Sequence, residues 1–185
     1  DGVLVEVGYD NHWLDIIGPE FGGLTAADLE PFFRDHWGPV IIGERRVEEA
    51  LAAFAPELDA ALFVRRWCEE STRINHEMVD AAKSWHAAGA RLVLATNQEH
   101  RRAEYVKALI SEHLELADVF YSAGLGFPKP DARFFGAADK RLEGARVVFI
   151  DDALGNVESA RAHGWHAIHY PHDADWRDQV DRYFK

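Results

Sequence analysis

Arg146 to Gly164 reads RVVFIDDALGNVESARAHG, and the order of residue types in this stretch decides the fold. Val147, Val148, Phe149 and Ile150 form an apolar run without alternation, the pattern of a parallel strand buried on both faces. Two carboxylates, Asp151 and Asp152, follow at once. Leu154 to His163 then reads as a helix, with Val157 and Ala160 on its inner face and Gly164 as its C-terminal stop. Ligands of open α/β sheets bind just beyond the carboxyl ends of the strands, so the acid pair stands where such folds do their chemistry. Adjacent carboxylates repel each other unless something positive lies beside them. A divalent cation is one answer, and hard oxygen donors favour Mg²⁺ or Ca²⁺. Capping of the following helix accounts for the pair equally well.

The chain upstream of this stretch alternates in the same way from Asn75 onward. Met78, Ala82 and Trp85 define a helix face closed by Gly89. Arg91 to Ala95 reads as a buried strand ending in Thr96-Asn97, and His100 to Ser111 as a helix. Val119 to Tyr121 is a short strand, followed by a loop over Gly124 to Pro130. Asp131 caps a helix carrying Phe134, Phe135 and Ala138. Downstream, Trp165 to Tyr170 is the last strand and Asp175 to Tyr183 the last helix. Such alternation predicts an α/β fold with a doubly wound parallel sheet.

Residues Gly8 to about Thr72 follow another grammar. His12 to Ile17 reads as a short helix. Thr25, with Asp28 three residues on, is a capping pair for a helix lined by Leu29, Phe32, Phe33 and Trp37 and stopped by Gly38-Pro39. Val47, Ala50, Leu51 and Phe54 line a further helix ended by Pro56. Leu58, Ala61, Leu62 and Trp67 line the next. Only Val40-Ile41-Ile42 has strand character, so this is a small all-helical module.

The 185 residues suit one domain, or one domain with an insertion. With 48% apolar residues a real core can form. The net charge of -12 speaks against nucleic acid or an anionic membrane as main partner. It allows an anionic small molecule, because a metal and one lysine can reverse the local field. Cys68 is the single cysteine, so no internal disulfide forms and a reducing, cytoplasmic setting is expected. No apolar run approaches membrane-spanning length or reads as a signal peptide.

Three strand ends are polar: Thr96-Asn97, the loop to Lys129, and Asp151-Asp152. Parallel strands joined by helices bring all three to one edge. A hydroxyl, an amide, an ammonium and an acid pair together suit a phosphate with its cation. Taken singly, Thr96 reads as well as a cap and Lys129 as a solvated loop lysine.

In that order the residues resemble the haloacid dehalogenase-like (HAD) superfamily of hydrolases, in the branch with a small helical cap inserted after the first strand. Asp1-Gly2-Val3-Leu4 resembles the second half of its first motif, Leu94-Ala95-Thr96-Asn97 the second, Lys129-Pro130-Asp131 the third, and Ile150-Asp151-Asp152 with Asn156 the fourth. The resemblance covers residues 1–9 and 75–185 as a Rossmann-like core, with 10–74 as the helical cap. It implies a Mg²⁺-dependent phosphatase of a small phosphorylated metabolite, a sugar phosphate or similar monoester, working through an aspartyl-phosphate. Asp1 then is the general acid/base and gives its backbone carbonyl to the metal. Asp152 is a direct metal ligand, and Asp151 a second or water-mediated one. Thr96 and Lys129 hold the phosphate, Asn156 orients the acidic cluster, Asn97 meets substrate or loop, and His12 stands at the hinge beside the substrate. The nucleophile and the apolar strand bearing it are expected two positions and more upstream of Asp1. A phosphomutase, a 2-haloacid dehalogenase and a non-catalytic relative that binds a phospho-ligand or a protein are the alternatives. Dehalogenases lack an acid at the Asp1 position, since halide leaves without a proton. A monomer or homodimer is expected.

Other features carry less. His163, His166, His169 and His172 straddle a helix end, a strand and a loop, so they share no face for a metal. Trp13, Trp37 and Trp67 read as core aromatics that could also line the cap's substrate side. Arg45, Arg46, Arg65 and Arg66 read as a solvated face, and Cys68 as buried packing.

Overall fold

The computed structural model describes residues 2–6, 12–173 and 175–183, with the side chain of His12 outside that description. Two short strands, β1 (Val5–Glu6) and β2 (Arg73–Ile74), pair antiparallel, Val5 opposite Ile74 and Glu6 opposite Arg73. Between them in sequence lie α1 (His12–Ile17), a 3-10 turn over Gly18–Phe21, α2 (Ala26–Asp35), α3 (Trp37–Ile41), α4 (Val47–Phe54) and α5 (Ala60–Ser71). Thr25 and Asp28 form the capping box at the start of α2. The helices bury Leu14, Ile17, Leu29, Phe32, Leu51 and Phe63 in an apolar cluster of their own, which Tyr105 joins from outside.

Two details of this module differ from the expectation. Gly38-Pro39 does not end the helical run, because α3 carries both and buries Val40. Pro39 lies in the first turn, where a missing N–H costs no helical bond, so Val40-Ile41 is helix rather than strand. In α5 the buried face is Ala60, Phe63, Val64 and Cys68, with Trp67 packed against the same cluster as expected, whereas Ala61 is exposed. Apolar residues surround much of α5, and its packing on α1 and α4 selects which stripe is buried.

The rest of the chain runs α6 (His76–Ala87), β3 (Val93–Thr96), α7 (His100–Ser111), β4 (Asp118–Tyr121), α8 (Ser122–Leu125), α9 (Ala132–Leu142), β5 (Val148–Asp151), α10 (Leu154–His163), β6 (His166–His169) and α11 (Trp176–Asp181). The stretch expected as loop from Gly124 thus begins inside α8. β3 and β4 are parallel, with Thr96 opposite Tyr121. β5 and β6 are parallel, with Asp151 opposite His169. One apolar layer holds Met78, Trp85, Val106, Ile110 and Ile168. Another holds Phe120, Phe134, Phe135, Phe149 and Val157. Strands covered by helices through two separate layers are the doubly wound α/β architecture.

Among the described residues the inner edges of β3 and β5 do not pair with each other. A cavity of about 410 Å³ lies between them, lined by Leu94, Val148, Phe149 and Ile150, and by Thr96, Lys129 and Asp151. Besides Tyr105, several described residues join the helical module to this core. Gly43 has φ 81°, and a β-carbon there would fall 2.4 Å from the carbonyl oxygen of Ala123. Glu48 lies 3.0 Å from Arg101 Nε, and Arg102 Nη1 donates to Ser71 Oγ at 2.5 Å. No described helix is long and apolar enough to cross a membrane.

Phe135 joins α9 to the sheet, with ring centroids 5.9 Å from Phe149 and 5.2 Å from Trp165. Replacing this fully buried ring, Phe135→Ala, should cost about 3–5 kcal/mol, the usual range for deleting a core aromatic. A urea titration monitored by circular dichroism would read this as a shift of the midpoint.

Candidate active site

Three chain segments end side by side. β3 delivers Thr96, β5 delivers Asp151, and the turn before α9 delivers Lys129. The Lys129 ammonium lies 2.5 Å from Asp151 Oδ2 and donates to the Ala95 carbonyl at 2.9 Å. Both charged groups are buried, with 7% and 3% of their surface exposed. The other oxygen of Asp151, Oδ1, accepts from Ala153 N at 3.0 Å and from Asn156 Nδ2 at 2.8 Å. The positive group beside Asp151 is thus Lys129, and Asp151 Oδ1 bonds the backbone of Ala153, the N-cap residue, while α10 itself has no side-chain cap bond.

Asn97 clasps the lysine turn from both sides. Its Nδ2 donates to the Lys129 carbonyl and its Oδ1 accepts from the Lys129 N–H, each at 2.7 Å. Thr96 is 2% exposed, and its hydroxyl has no hydrogen-bond partner among the described residues. Buried hydroxyls are almost always paired, so Thr96 stands as an open donor beside the ammonium. Lys129 has three N–H groups, two of them placed above.

Asp152 has a different environment. Its side chain is exposed and takes no hydrogen bond among those described. A β-carbon at Gly2 would fall 2.0 Å from Asp152 Oδ2, and Gly2 has φ 86°. Both facts require glycine there, and both bring the first motif against the fourth. Asp1 lies outside the described residues. So does the side chain of His12, whose backbone opens α1. Thr96, Asn97, Lys129, Asp151 and Asn156 thus form one cluster, with Asp152 at its edge beside Gly2.

Sequence reasoning set His169 aside with the rest of its histidine tract and read Asn75 only as the point where the pattern changes. His169 Nε2 lies 3.0 Å from the Asp152 carbonyl oxygen, and Asn75 bonds the turn after Gly2. The available signal for His169 was its place at the end of the strand beside β5. Of the other histidines in that tract, His163 goes to Asp139 and His166 lies against Tyr183, while His172 packs on His169 itself. Cys68 is buried, and that burial pushes its thiol up to about 11.

The model of the haloacid dehalogenase-like hydrolases matches residues 1–164. The chain belongs to this family. As a member of the HAD-like hydrolases it is 29% identical over 96 residues to enolase-phosphatase E1 of Streptomyces avermitilis, which covers 50% of the chain and 40% of that protein. The chain therefore spans less than half of this curated relative. Among solved structures, the HAD family enzyme BT-2542 of Bacteroides thetaiotaomicron superposes with a TM-score of 0.76 at 14% identity, over 97% of this chain and 94% of that one. That enzyme has also been solved in complex with magnesium and inorganic phosphate. The L-2-haloacid dehalogenase PA0810 superposes with a TM-score of 0.62 at 19% identity, over 92% and 82%. At 14% and 19% identity these superpositions show a shared fold.

Lys129→Met would leave Asp151 buried without its cation, which should cost about 3–5 kcal/mol of stability. Chemical denaturation at neutral pH checks this, and an unchanged midpoint would show that the pair carries no structural weight. A second titration concerns Glu99, the N-cap of α7. Its carboxylate accepts from the N–H groups of Arg101 and Arg102, both at 2.6 Å, yet burial outweighs these bonds and pushes its pKa up. Between the ordinary carboxylate value and this raised one, the folded chain keeps a proton that the unfolded chain has lost. Stability therefore falls as pH rises through that window. Glu99→Gln should flatten this part of the curve, read by denaturation at stepped pH.

Proposed function

We propose that the protein is a Mg²⁺-dependent phosphatase of a small phosphorylated metabolite, a sugar phosphate or similar monoester. The observation that carries this reading is that an open, buried Thr96 hydroxyl and the Lys129 side chain line one cavity. A donor and a cation held in a site of low dielectric favour a dianionic oxyanion over neutral ligands. The magnesium and phosphate complex of BT-2542, a protein of the same fold, supports it.

The donors present fit a hard cation. They are carboxylate oxygens, and Asp152 keeps both of its own free of other described partners. Among the described residues no group of three or more His, Cys, Asp and Glu comes together; by the family resemblance Asp152 is assigned as one ligand and Asp1, through its backbone carbonyl, as another. Asp151 acts on the cation only indirectly, because Lys129, Ala153 and Asn156 occupy its oxygens. When bound, Mg²⁺ would supply charge neutralisation between the acids and the phosphoryl oxygens.

The chain's own residues supply the rest. Thr96 donates to one phosphoryl oxygen, and Lys129 balances charge on another as it develops. Asn97 keeps the lysine turn in place. Asp1 gives its proton to the leaving oxygen as the phosphorus–oxygen bond breaks, and takes one from water in the second displacement. The nucleophilic aspartate is assigned to an apolar strand seated between β3 and β5, two positions ahead of Asp1. The apolar cavity between two unpaired inner edges favours such a strand. The helices of residues 10–74 are assigned as a cap over the core of 1–9 and 75–185, where specificity against water and competing esters would reside.

The test is phosphate release from a panel of monoesters by the natural chain, with and without Mg²⁺. Release should require the metal. Thr96→Val should lower kcat/KM about 10²–10³-fold, the usual effect of losing one oxyanion donor. Gly2→Ala, which drives a methyl group into Asp152, should weaken Mg²⁺ activation. Absence of release from every monoester would overturn the reading. Halide release from 2-haloacids would point to a dehalogenase, and return of the phosphoryl group to an isomeric substrate to a mutase.

A further inference from the structure

The turn that follows Asp1 is held by one side chain that the reaction itself does not call for. Asn75 is the first residue after β2. Its Nδ2 donates to the Val3 carbonyl at 3.0 Å and to the Tyr170 hydroxyl at 2.9 Å. Its backbone N–H donates to the Leu4 carbonyl at 3.0 Å. Its Oδ1 accepts from Met78 N at 3.2 Å and so caps α6. The turn closes on itself through Gly2 N and Val5 O at 2.6 Å.

Capping alone would be met as well by aspartate or serine. The donor half of the amide is what reaches the turn. Tyr170, its second acceptor, is fixed in its own right. Its ring stands edge-on to Trp176 with centroids 5.0 Å apart, and its backbone N–H donates to the Asp151 carbonyl at 3.0 Å. Asn75 therefore joins three parts: the turn after Asp1, the start of α6, and the chain leaving β6 beside β5.

We propose that Asn75, braced by Tyr170, is a positioning residue that fixes the Gly2–Val5 turn and thereby holds Gly2 against Asp152. The role of Asp1 rests on the phosphatase reading; the clasp itself does not. Asn75 stands at the point where the chain returns from the helical module, beside the β1–β2 pair. Its bonds hold the turn to the core at the foot of that crossing.

Asn75→Asp keeps the acceptor that caps α6 and removes both donations. Tyr170→Phe keeps the ring against Trp176 and removes the hydroxyl. Hydrogen exchange of the segment 2–6 should speed up about tenfold or more in Asn75→Asp, as expected when a bonded turn opens locally, while the amides of α6 keep their protection. In the same variant kcat should fall about tenfold or more with KM within about twofold, because the acid is displaced while Thr96 and Lys129 still grip the phosphate. Tyr170→Phe should move both readouts in the same direction by less. It carries the test alone if Asn75→Asp does not fold. Unchanged exchange in segment 2–6 would overturn the clasp. Faster exchange with unchanged kcat would overturn the positioning role. A wild-type chain that turns over no monoester would overturn the phosphatase reading and with it the link to Asp1, while the exchange result still decides the clasp.

Discussion

The buried ion pair between Lys129 and Asp151 is the constraint on which the arrangement of this protein depends. Removing two charges from water costs several kcal/mol each, and only close pairing with further hydrogen bonds offsets it. Here the offset draws on distant parts of the chain. The Ala95 carbonyl near the end of β3 accepts a hydrogen bond from the ammonium, and Ala153 N and Asn156 Nδ2 at the start of α10 donate to the second carboxylate oxygen. Asn97 holds the backbone of the lysine itself. A structure that satisfies the pair has already aligned the ends of β3 and β5 with the turn before α9. The same alignment leaves the Thr96 hydroxyl open beside the ammonium, so the requirement of burial and the requirement of a binding site are met by one arrangement.

The helical module answers to a separate core. Its buried residues contact one another, and Tyr105 is the partly buried residue from beyond the module that packs with them. Its attachments to the α/β part are a glycine pressed on the Ala123 carbonyl, an ion pair between Glu48 and Arg101, and the bonds of Arg102 to Ser71. Polar bonds and apolar packing both contribute, since Tyr105 packs on the module's core and Arg102 lies over the Trp67 ring. The backbone crossing, by contrast, is bonded on both sides by the β1–β2 pair and by Asn75.

Much of the core could be read directly. The helix from Leu154 to His163, its glycine stop, the helix from His100 to Ser111 and the Asp131 cap all stand where the periodicity put them. Each of these signals is local, set by side chains within one turn or two of the residue they govern. The reading failed at Gly38-Pro39, where proline marks the first turn of a new helix as readily as the end of an old one. In α5 it found Trp67 but missed Ala60, Phe63, Val64 and Cys68, because apolar residues lie on more than one side and only neighbouring helices distinguish them.

For the site the division is similar. Residue types and their order at the strand ends were enough to pick out Thr96, Asn97, Lys129, Asp151, Asp152 and Asn156 as one group and to identify the family. The partner of each atom was decided only in three dimensions. Two adjacent aspartates look alike in sequence, yet one is buried against Lys129 and the other lies open beside Gly2. Asn97 turns to the lysine backbone, and Asn75, an ordinary helix cap by its neighbours, reaches Val3 and Tyr170. Local propensity is carried by short stretches of chain, whereas the choice among hydrogen-bond partners 32, 72 or 95 residues apart exists only once packing has brought them within reach.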